Sequence, residues 1–424
     1  MTLALLAAAL IAATPISLEA VRRQSRENAP AHLAELERLR AAEQIRLSRA
    51  DVLPKVSVGA GTFAVYDTRD LAQTLGSFSL SATVSQLVYD GGRWWNRIAQ
   101  SNALADAQAD QAAEQRLASD LEGVRRFYDL YFAQETLRVL EAHTHRSEEQ
   151  LARARGLFEG GRGQKTDVYA AEVNLANDRL GVERQRARIA SAQGSLAVWL
   201  AHPGAEELVA EAPPDLRSSA PQPEGGIAPP SVEEALTVAR QSRPLLRVIA
   251  ARLRASERGV EVASGTHWPA ISALVSGARQ SLAVRPFFTD YARQNYAYAG
   301  LSLEWDLYDG GETSARVQQA ELARQRAEIE RRQAERELEA EVRDSIVQLQ
   351  SQLEMSRIAR ANLEAARSGL ALAEGRFREG VGSTLEVRDA QLKLTQAELS
   401  LLESRVGVEV ARVAVARALG TEAK

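Results

Sequence analysis

Apolar and polar positions along this 424-residue chain change period several times, and the changes come in an order that repeats. From Leu18 to about Ala50 the apolar residues keep a helical spacing, which Pro54 in DVLPKV ends. Val56 to Tyr66 then alternates, with Val56, Val58, Ala60 and Ala64 on one side, and predicts a strand. After the polar stretch DTRDLAQTLGS, alternation resumes from Phe78 to Tyr89 and stops at Asp90-Gly91-Gly92. Asp followed by two Gly reads as a strand-to-helix junction, with the Asp as helix cap and turn residue. Beyond it no Pro and few Gly interrupt a helical pattern until Gly156, a run of roughly 95 Å at about 1.5 Å per residue. No compact domain houses such a helix. Gly160, Gly161 and Gly163 supply a turn, and a returning helix is expected from about Thr166 to Leu200.

The same plan follows a second time. VYDGG at Val88–Gly92 is answered by LYDGG at Leu307–Gly311, an offset of 219 (308 − 89 = 219). FEGGRG from Phe158 and FREGVG from Phe377 keep that offset (377 − 158 = 219). Two unlike motifs at one spacing mean two tandem copies of one unit. Repeat 1 is placed at 16–201 and repeat 2 at 232–420, each with a helix, a β-hairpin and a long helical hairpin. Between them, residues 202–231 hold more than half of the 13 Pro residues and read as a linker. In repeat 2, HWPAISALVSG mirrors VLPKVSVGAG, a further strand is expected from about Tyr296 to Tyr308, and Gly380 and Gly382 make the second turn.

Narrow stripes decide how the helices pack. Leu338, Val342, Ile346, Leu349 and Leu353 step by three or four, as do Leu363, Ala366, Leu370, Ala373 and Phe377. The last helix offers Leu392, Leu399, Leu402, Val406, Val410 and Val413. These are coiled-coil seams rather than broad core faces, so each helix needs a long neighbour. The four strand segments have no remaining chain to cover them, and isolated hairpins are marginal in water. Closure into a barrel with further copies removes the open edges. Leu303, Trp305 and Leu307 would then face lipid, while Ser302, Glu304 and Asp306 face a polar lumen.

Composition narrows the function classes. Basic residues number 52, all but Lys55, Lys165, Lys393 and Lys424 being Arg, and they interleave with 56 acids for a net charge of −4. That describes a salt-bridged helix surface, and no nucleic-acid partner is expected. The absence of Cys excludes disulfides, thiolate metal sites, Cys nucleophiles and a lipid-modified N-terminal Cys. His143 and His145, the one close His pair, are read as surface polar residues, and no cofactor or metal site is expected. GGRGQKT has Gln164 where a phosphate-binding loop needs Gly before Lys, and it joins two helices, so an enzyme is not expected. Residues 1–13 contain the apolar run Leu3–Ala13, too short to span a bilayer as a helix and suited to a signal peptide, although no Lys or Arg precedes it.

The paired repeats, the [VL]-Y-D-G-G junctions and the G-x-G turn followed by STLEVRDAQLKL resemble the TolC-type outer-membrane efflux proteins over about Ile16 to Leu419. That resemblance implies a mostly helical fold with some β structure: a coiled-coil α-helical barrel plus a transmembrane β-barrel, each chain of a homotrimer giving four strands to a twelve-stranded wall. It implies an outer-membrane site in a Gram-negative bacterium, with helices extending into the periplasm and outer-membrane lipid around the strands. Expected partners are a periplasmic adaptor (membrane fusion) protein and an inner-membrane pump, the chain serving as passive exit duct of an efflux or secretion system. By the same resemblance, Gly161, Gly163, Gly380 and Gly382 mark adaptor-contacting tips, and Glu386 and Asp389 line the pore aperture. Asp167 matches Glu386 in repeat 1, but Ala170 stands where Asp389 does. Rings of carboxylates at a constriction favour cations and repel one another, so opening relieves strain. Capping or pairing within a first helical turn is the alternative role for Glu386 and Asp389. An exported or soluble coiled-coil scaffold without a pore is the alternative for the whole chain. It leaves the strands and their junctions Asp90, Gly91, Gly92, Asp309, Gly310 and Gly311 unexplained.

Overall fold

A computed structural model describes residues 14–66, 74–202, 208–217, 230–281, 284–289 and 295–421. The expected signal peptide, much of the 67–77 loop and most of the Pro-rich segment lie outside the described residues. The chain is mostly helical with an antiparallel sheet, as expected. In order the elements are β1 (Thr14–Ile16), α1 (Leu18–Arg26), α2 (Ala29–Ala50), β2 (Lys55–Tyr66), β3 (Thr74–Tyr89), α3 (Arg93–Glu159) and α4 (Lys165–Leu200). Then come β4 (Leu208–Ala210), α5 (Pro214–Arg217), α6 (Val232–Ser242), α7 (Pro244–Ser264), β5 (Ala270–Ser281), α8 (Val284–Thr289), β6 (Asn295–Glu304), α9 (Glu312–Arg378) and α10 (Thr384–Leu419). Helices α3 and α9 have 67 residues each, about 100 Å.

The backbone itself carries the repeat. Left-handed residues occur in pairs at the same offset of 219: Gly91 and Gly310, Gly92 and Gly311, Gly161 and Gly380, Ala201 and Gly420. The last two pairs end α3, α9, α4 and α10 in the same way. At α4, Ala201 N donates to Val198 O and His202 N to Ala197 O; at α10, Gly420 N donates to Arg417 O and Thr421 N to Ala416 O. This is the Schellman closure, in which a left-handed residue lets two amides reach back to orphan carbonyls. Ala201, the one non-Gly residue with positive φ among the described residues, accepts a conformation its Cβ disfavours because that closure requires it.

Two helices expected to be continuous are broken. Asn28 Oδ1 accepts from Ala31 N at 3.1 Å, so Asn28 caps a new helix and α1 stops short of it. Pro244 separates α6 from α7, since it cannot donate to the preceding turn. Just before it, Arg243 is 1% exposed. Its Nη2 lies 2.9 Å from Glu114 and 3.2 Å from Glu341, and Nη1 donates to Arg417 O. The Pro-rich segment is more than a linker: within it β4 pairs parallel with β1, Thr14 opposite Leu208, and buries Leu208 and Ala210.

The chain divides into two compact units. One comprises 112–244 with the described parts of 1–34 and 336–424. Its core joins Val124, Phe127, Tyr128, Leu130 and Tyr131 of α3 to Leu196 and Ala197 of α4, Val21 of α1 and Leu208 of β4. Leu402, Val406, Val410 and Val413 of α10 pack on this core. A second apolar face of α10, with Val387, Leu394 and Ala397, meets Leu363 and Leu370 of α9. Leu392, expected in a seam, is exposed because α10 turns those other residues inward.

The second unit, 35–111 with 245–335, contains the antiparallel sheet β2-β3-β5-β6. Its register sorts the side chains by face, since directly opposed residues share a side. Val58, Ala82 and Gly277 form one row, Val56, Val84, Val275 and Ala299 the next, and Ile271 opposes Leu303. The other face carries Ser57, Thr83, Ser276 and Tyr298 in a row, and Ser272 opposite Ser302. Thr83 Oγ1 and Ser276 Oγ are hydrogen-bonded at 2.8 Å. The apolar face is uncovered: Val56 is 71% exposed and Leu301 76%. Glu304 opposes Ala270, where β5 begins after Pro269, so Trp305 has no strand to pair with. The alternation therefore ends at Glu304, and Trp305, Asp306 and Leu307 do not continue the two faces as expected. Trp305 Nε1 instead donates to His267 O at 3.1 Å. None of the described helices is long and apolar enough to cross a membrane.

Phe127 is fully buried in the first unit's core. Phe127→Ala should destabilise that unit by about 3–5 kcal/mol, read from the thermal loss of helical ellipticity; an unchanged transition would show that this cluster does not hold the unit together.

Candidate functional site: the paired helical tips

The two tips are built alike. At the end of α3, Gly161 N donates to Phe158 O at 3.0 Å and Arg162 N to Leu157 O at 2.9 Å; at the end of α9, Gly380 N donates to Phe377 O at 3.1 Å and Val381 N to Arg376 O at 3.0 Å. Gly161 and Gly380 are the left-handed residues that make these closures, with φ of 69° and 74°. Gly163 and Gly382 serve differently: a Cβ on Gly382 would lie 2.9 Å from Phe377 N, so the chain can fold back onto α9 only where no side chain intrudes. Val381 and Leu385 beside the second tip and Phe158 beside the first are exposed.

The carboxylates expected at an aperture lie just past the tips. Ser383 caps α10, its Oγ accepting from Glu386 N at 3.2 Å, whereas Gln164 caps α4 without a side-chain bond. Glu386 is half exposed and 3.8 Å from Arg376 Nε; Asp389 is 2.7 Å from Lys393 Nζ on the next turn. Within one chain both are thus paired through exposed contacts, which are worth little in water and leave the charges accessible. Asp167 lies in the first turn of α4 and is half-buried.

Between Glu386 and Asp389 in sequence, Arg388 points inward into a polar cluster that sequence reading missed. Arg388 Nη2 lies 2.9 Å from Asp178 Oδ1 of α4, and Nη1 donates to Asp178 Oδ2 at 3.1 Å and to Ser147 Oγ of α3 at 2.9 Å. Ser147 Oγ donates to Asp178 Oδ2 at 2.6 Å. His143, expected on the surface, is 3% exposed, with Nε2 at 3.2 Å from Arg388 Nη1 and 3.5 Å from Asp178 Oδ1. Burial by itself raises the Asp178 carboxyl; the hydrogen bonds from Arg388 and Ser147, with His143 beside them, more than reverse that and hold it well below the usual carboxylate range. A sequence signal was present. Arg388, Gln391, Thr395 and Glu398 extend the stripe of Leu402, Val406, Val410 and Val413 by steps of three and four, so polar residues occupy an inward-facing seam.

The strand-to-helix junctions belong to the other unit. Asp90 Oδ1 accepts from Trp94 N at 3.1 Å, and Asp309 Oδ2 accepts from Thr313 N at 2.7 Å, so each Asp caps the first turn of a 67-residue helix. Hydrogen bonds from Thr313 lower the Asp309 carboxyl from its ordinary value. At Gly91 a Cβ would collide with the Gly265 carbonyl and with Trp268 Cβ, so the junction admits only Gly there.

Comparison with known proteins adds to this geometry. The family model described as outer membrane efflux protein matches residues 21–202 and 235–421, both repeats of the chain. The outer membrane efflux protein BepC of Brucella suis biovar 1 is 23% identical over 238 residues, 56% of this chain. The match spans about half of that relative, 49% of its length. Among solved structures, CusC, in work on folding and transmembrane channel formation, superposes with a TM-score of 0.83 at 19% identity, covering 95% of this chain and 92% of its own. A membrane protein from Pseudomonas aeruginosa gives 0.83 at 20% identity, over 96% and 90%.

Because the Asp178 carboxyl is lowered on folding, its contribution to stability is present above the ordinary carboxylate range and is lost as pH falls through that range toward the lowered value. Between about pH 5 and pH 3 the melting temperature of the native protein should therefore fall more steeply than that of Asp178→Asn. Parallel slopes would remove Asp178 from the acid response.

Proposed function

The chain belongs to the outer membrane efflux protein family, and from that premise we propose that it is the passive exit duct of a tripartite efflux or secretion system. Its place is the outer membrane, with an extension into the periplasm. The observation that carries the proposal is the sheet β2-β3-β5-β6, which has one apolar face uncovered and two unpaired edges, at β2 and β6. An apolar face of that size is stable against lipid, and unpaired edges are removed when the sheet continues into further copies of the chain. Three copies, each giving four strands, close the wall at a size that leaves a lumen. Leu303 then faces lipid and Glu304 the water-filled interior.

Two further features support oligomer formation. Leu322, Ile329, Val347 and Ile358 of α9 and Leu36, Leu39 and Leu47 of α2 are exposed in the single chain. Apolar residues at such spacing on long helices need neighbouring helices, and equivalent copies provide them. The family is one of channel proteins, and catalysis forms no part of the proposal.

The aperture is assigned to the tips. Glu386 and Asp389 from each copy, with Asp167 behind them, form rings of negative charge that select cations and resist close approach. Gly161, Gly163, Gly380 and Gly382, with exposed Phe158 and Val381, form the surface for a periplasmic adaptor, which in turn recruits an inner-membrane pump. Cargo choice rests with that pump.

Single-channel recording in planar bilayers tests the assignment. Glu386→Gln with Asp389→Asn should raise conductance or abolish cation preference; unchanged conductance and selectivity would take these residues out of the aperture.

A further inference from the structure

Beyond the aperture carboxylates lies a device that would hold them in place. We propose that Arg388 is a positioning residue that fixes the first turns of α10 against the α3–α4 hairpin, and that protonation of His143 releases it. The proposal rests on the aperture reading of Glu386 and Asp389, which flank Arg388 on the same turn of α10.

Arg388 is the single cation through which α10 grips both other helices in the cluster. It engages both oxygens of Asp178 on α4 and the hydroxyl of Ser147 on α3, and its side chain is 12% exposed. A two-pronged guanidinium–carboxylate contact fixes orientation as well as distance. The arrangement is not shared by the two repeats. At the offset of 219, His143, Ser147 and Asp178 correspond to Asn362, Ala366 and Ala397, and Arg388 to Tyr169, which is exposed under Lys165. One hairpin alone is therefore clasped in this way, and the clasp is a feature of the contact between α3–α4 and α10 rather than of the repeated fold.

His143 makes the clasp sensitive to protons through geometry. Its Nε2 sits 3.2 Å from an Arg388 nitrogen that can only donate, so the contact is a hydrogen bond only while Nε2 keeps its lone pair. A proton there sets two donors against each other and places two cations on one carboxylate. Imidazolium would then draw on Asp178 Oδ1 at 3.5 Å and compete with Arg388 for it. His143 Nδ1 is buried and has no hydrogen-bond partner among the described residues. The groups that face the ring are Asp178 from α4 and Arg388 from α10; farther along, Arg146 of α3 lies 4.0 Å from Glu398 of α10, its Nε and Nη2 buried without a hydrogen-bond partner among the described residues. Gln391, one turn beyond Arg388, is buried with its amide unpartnered among the described residues, so nothing there substitutes for the clasp. Imidazole is the side chain that changes charge between about pH 5 and pH 8, a range a periplasmic protein can meet.

The test is conductance of the full-length oligomer in planar bilayers at about pH 7.5 and about pH 5.5, values that bracket imidazole titration. The native channel should conduct several-fold more at the lower pH, and His143→Gln, which keeps an uncharged polar side chain, should lose that response. Arg388→Gln with Asp178→Asn removes both charges together and strands neither. It should conduct at neutral pH as the native channel does at low pH, and no longer respond to acid. The oligomer mass of each variant in mild detergent checks that it has assembled. A pH response retained in His143→Gln, or a double variant that assembles yet conducts like the native channel, overturns the proposal. If Glu386→Gln with Asp389→Asn still alters conductance in that case, the clasp alone is wrong; if it too has no effect, the aperture reading fails with it.

Discussion

Helices of 67 residues with apolar stripes only two or three side chains wide cannot bury themselves, and this constraint shapes the rest of the chain. A returning helix of 36 residues accompanies each long one near the tips, and there the stripes are filled: Leu363 and Leu370 meet Val387, Leu394 and Ala397. Helix α10 is apolar on a second side and binds the α3–α4 core with Leu402, Val406, Val410 and Val413. Elsewhere on α9 and on α2 large apolar residues stay exposed. Copies of the chain, as proposed, would cover the stripes that a single chain leaves open.

The sheet poses the same problem in another form. Its register puts Val, Ile, Leu and Ala on one face and Ser, Thr and Tyr on the other, and the apolar face is left uncovered, with Val56 and Leu301 exposed. In water this would be an aggregation hazard; in a closed wall the apolar side meets lipid and the polar side meets an aqueous lumen. Helical stripes and strand faces thus make the same demand for neighbours, by different chemistry.

Much of this was legible in the sequence because it rests on local signals. Turn glycines at a fixed offset predicted the left-handed residues Gly161 and Gly380 and the junctions at Gly91 and Gly310, all with positive φ. Alternation predicted the strands, but not that β6 stops at Glu304, since that end is set by Pro269 just before the neighbouring strand begins. The break at Asn28 went unread although Asn followed by Ala-Pro is a capping signal, and β4 was hidden inside a Pro-rich stretch because a three-residue strand has too few positions to show a period. Around the candidate site the carboxylates could be placed by motif, and the polar seam of Arg388, Gln391, Thr395 and Glu398 marked the α10 side of the cluster beneath them, but its partners on α3 and α4 could not be placed. His143, Asp178 and Arg388 are far apart in sequence and meet only because three helices pack; nothing local distinguishes a His on a polar helix from a buried one.

The central claim is that this chain is finished only as a closed oligomer in the outer membrane. The mass of the protein extracted from outer membranes in mild detergent, corrected for bound detergent, tests it most directly. A trimer in that fraction is the expected result. A water-soluble monomer would contradict the account, because its uncovered sheet and open helical stripes would then have no partner to complete them.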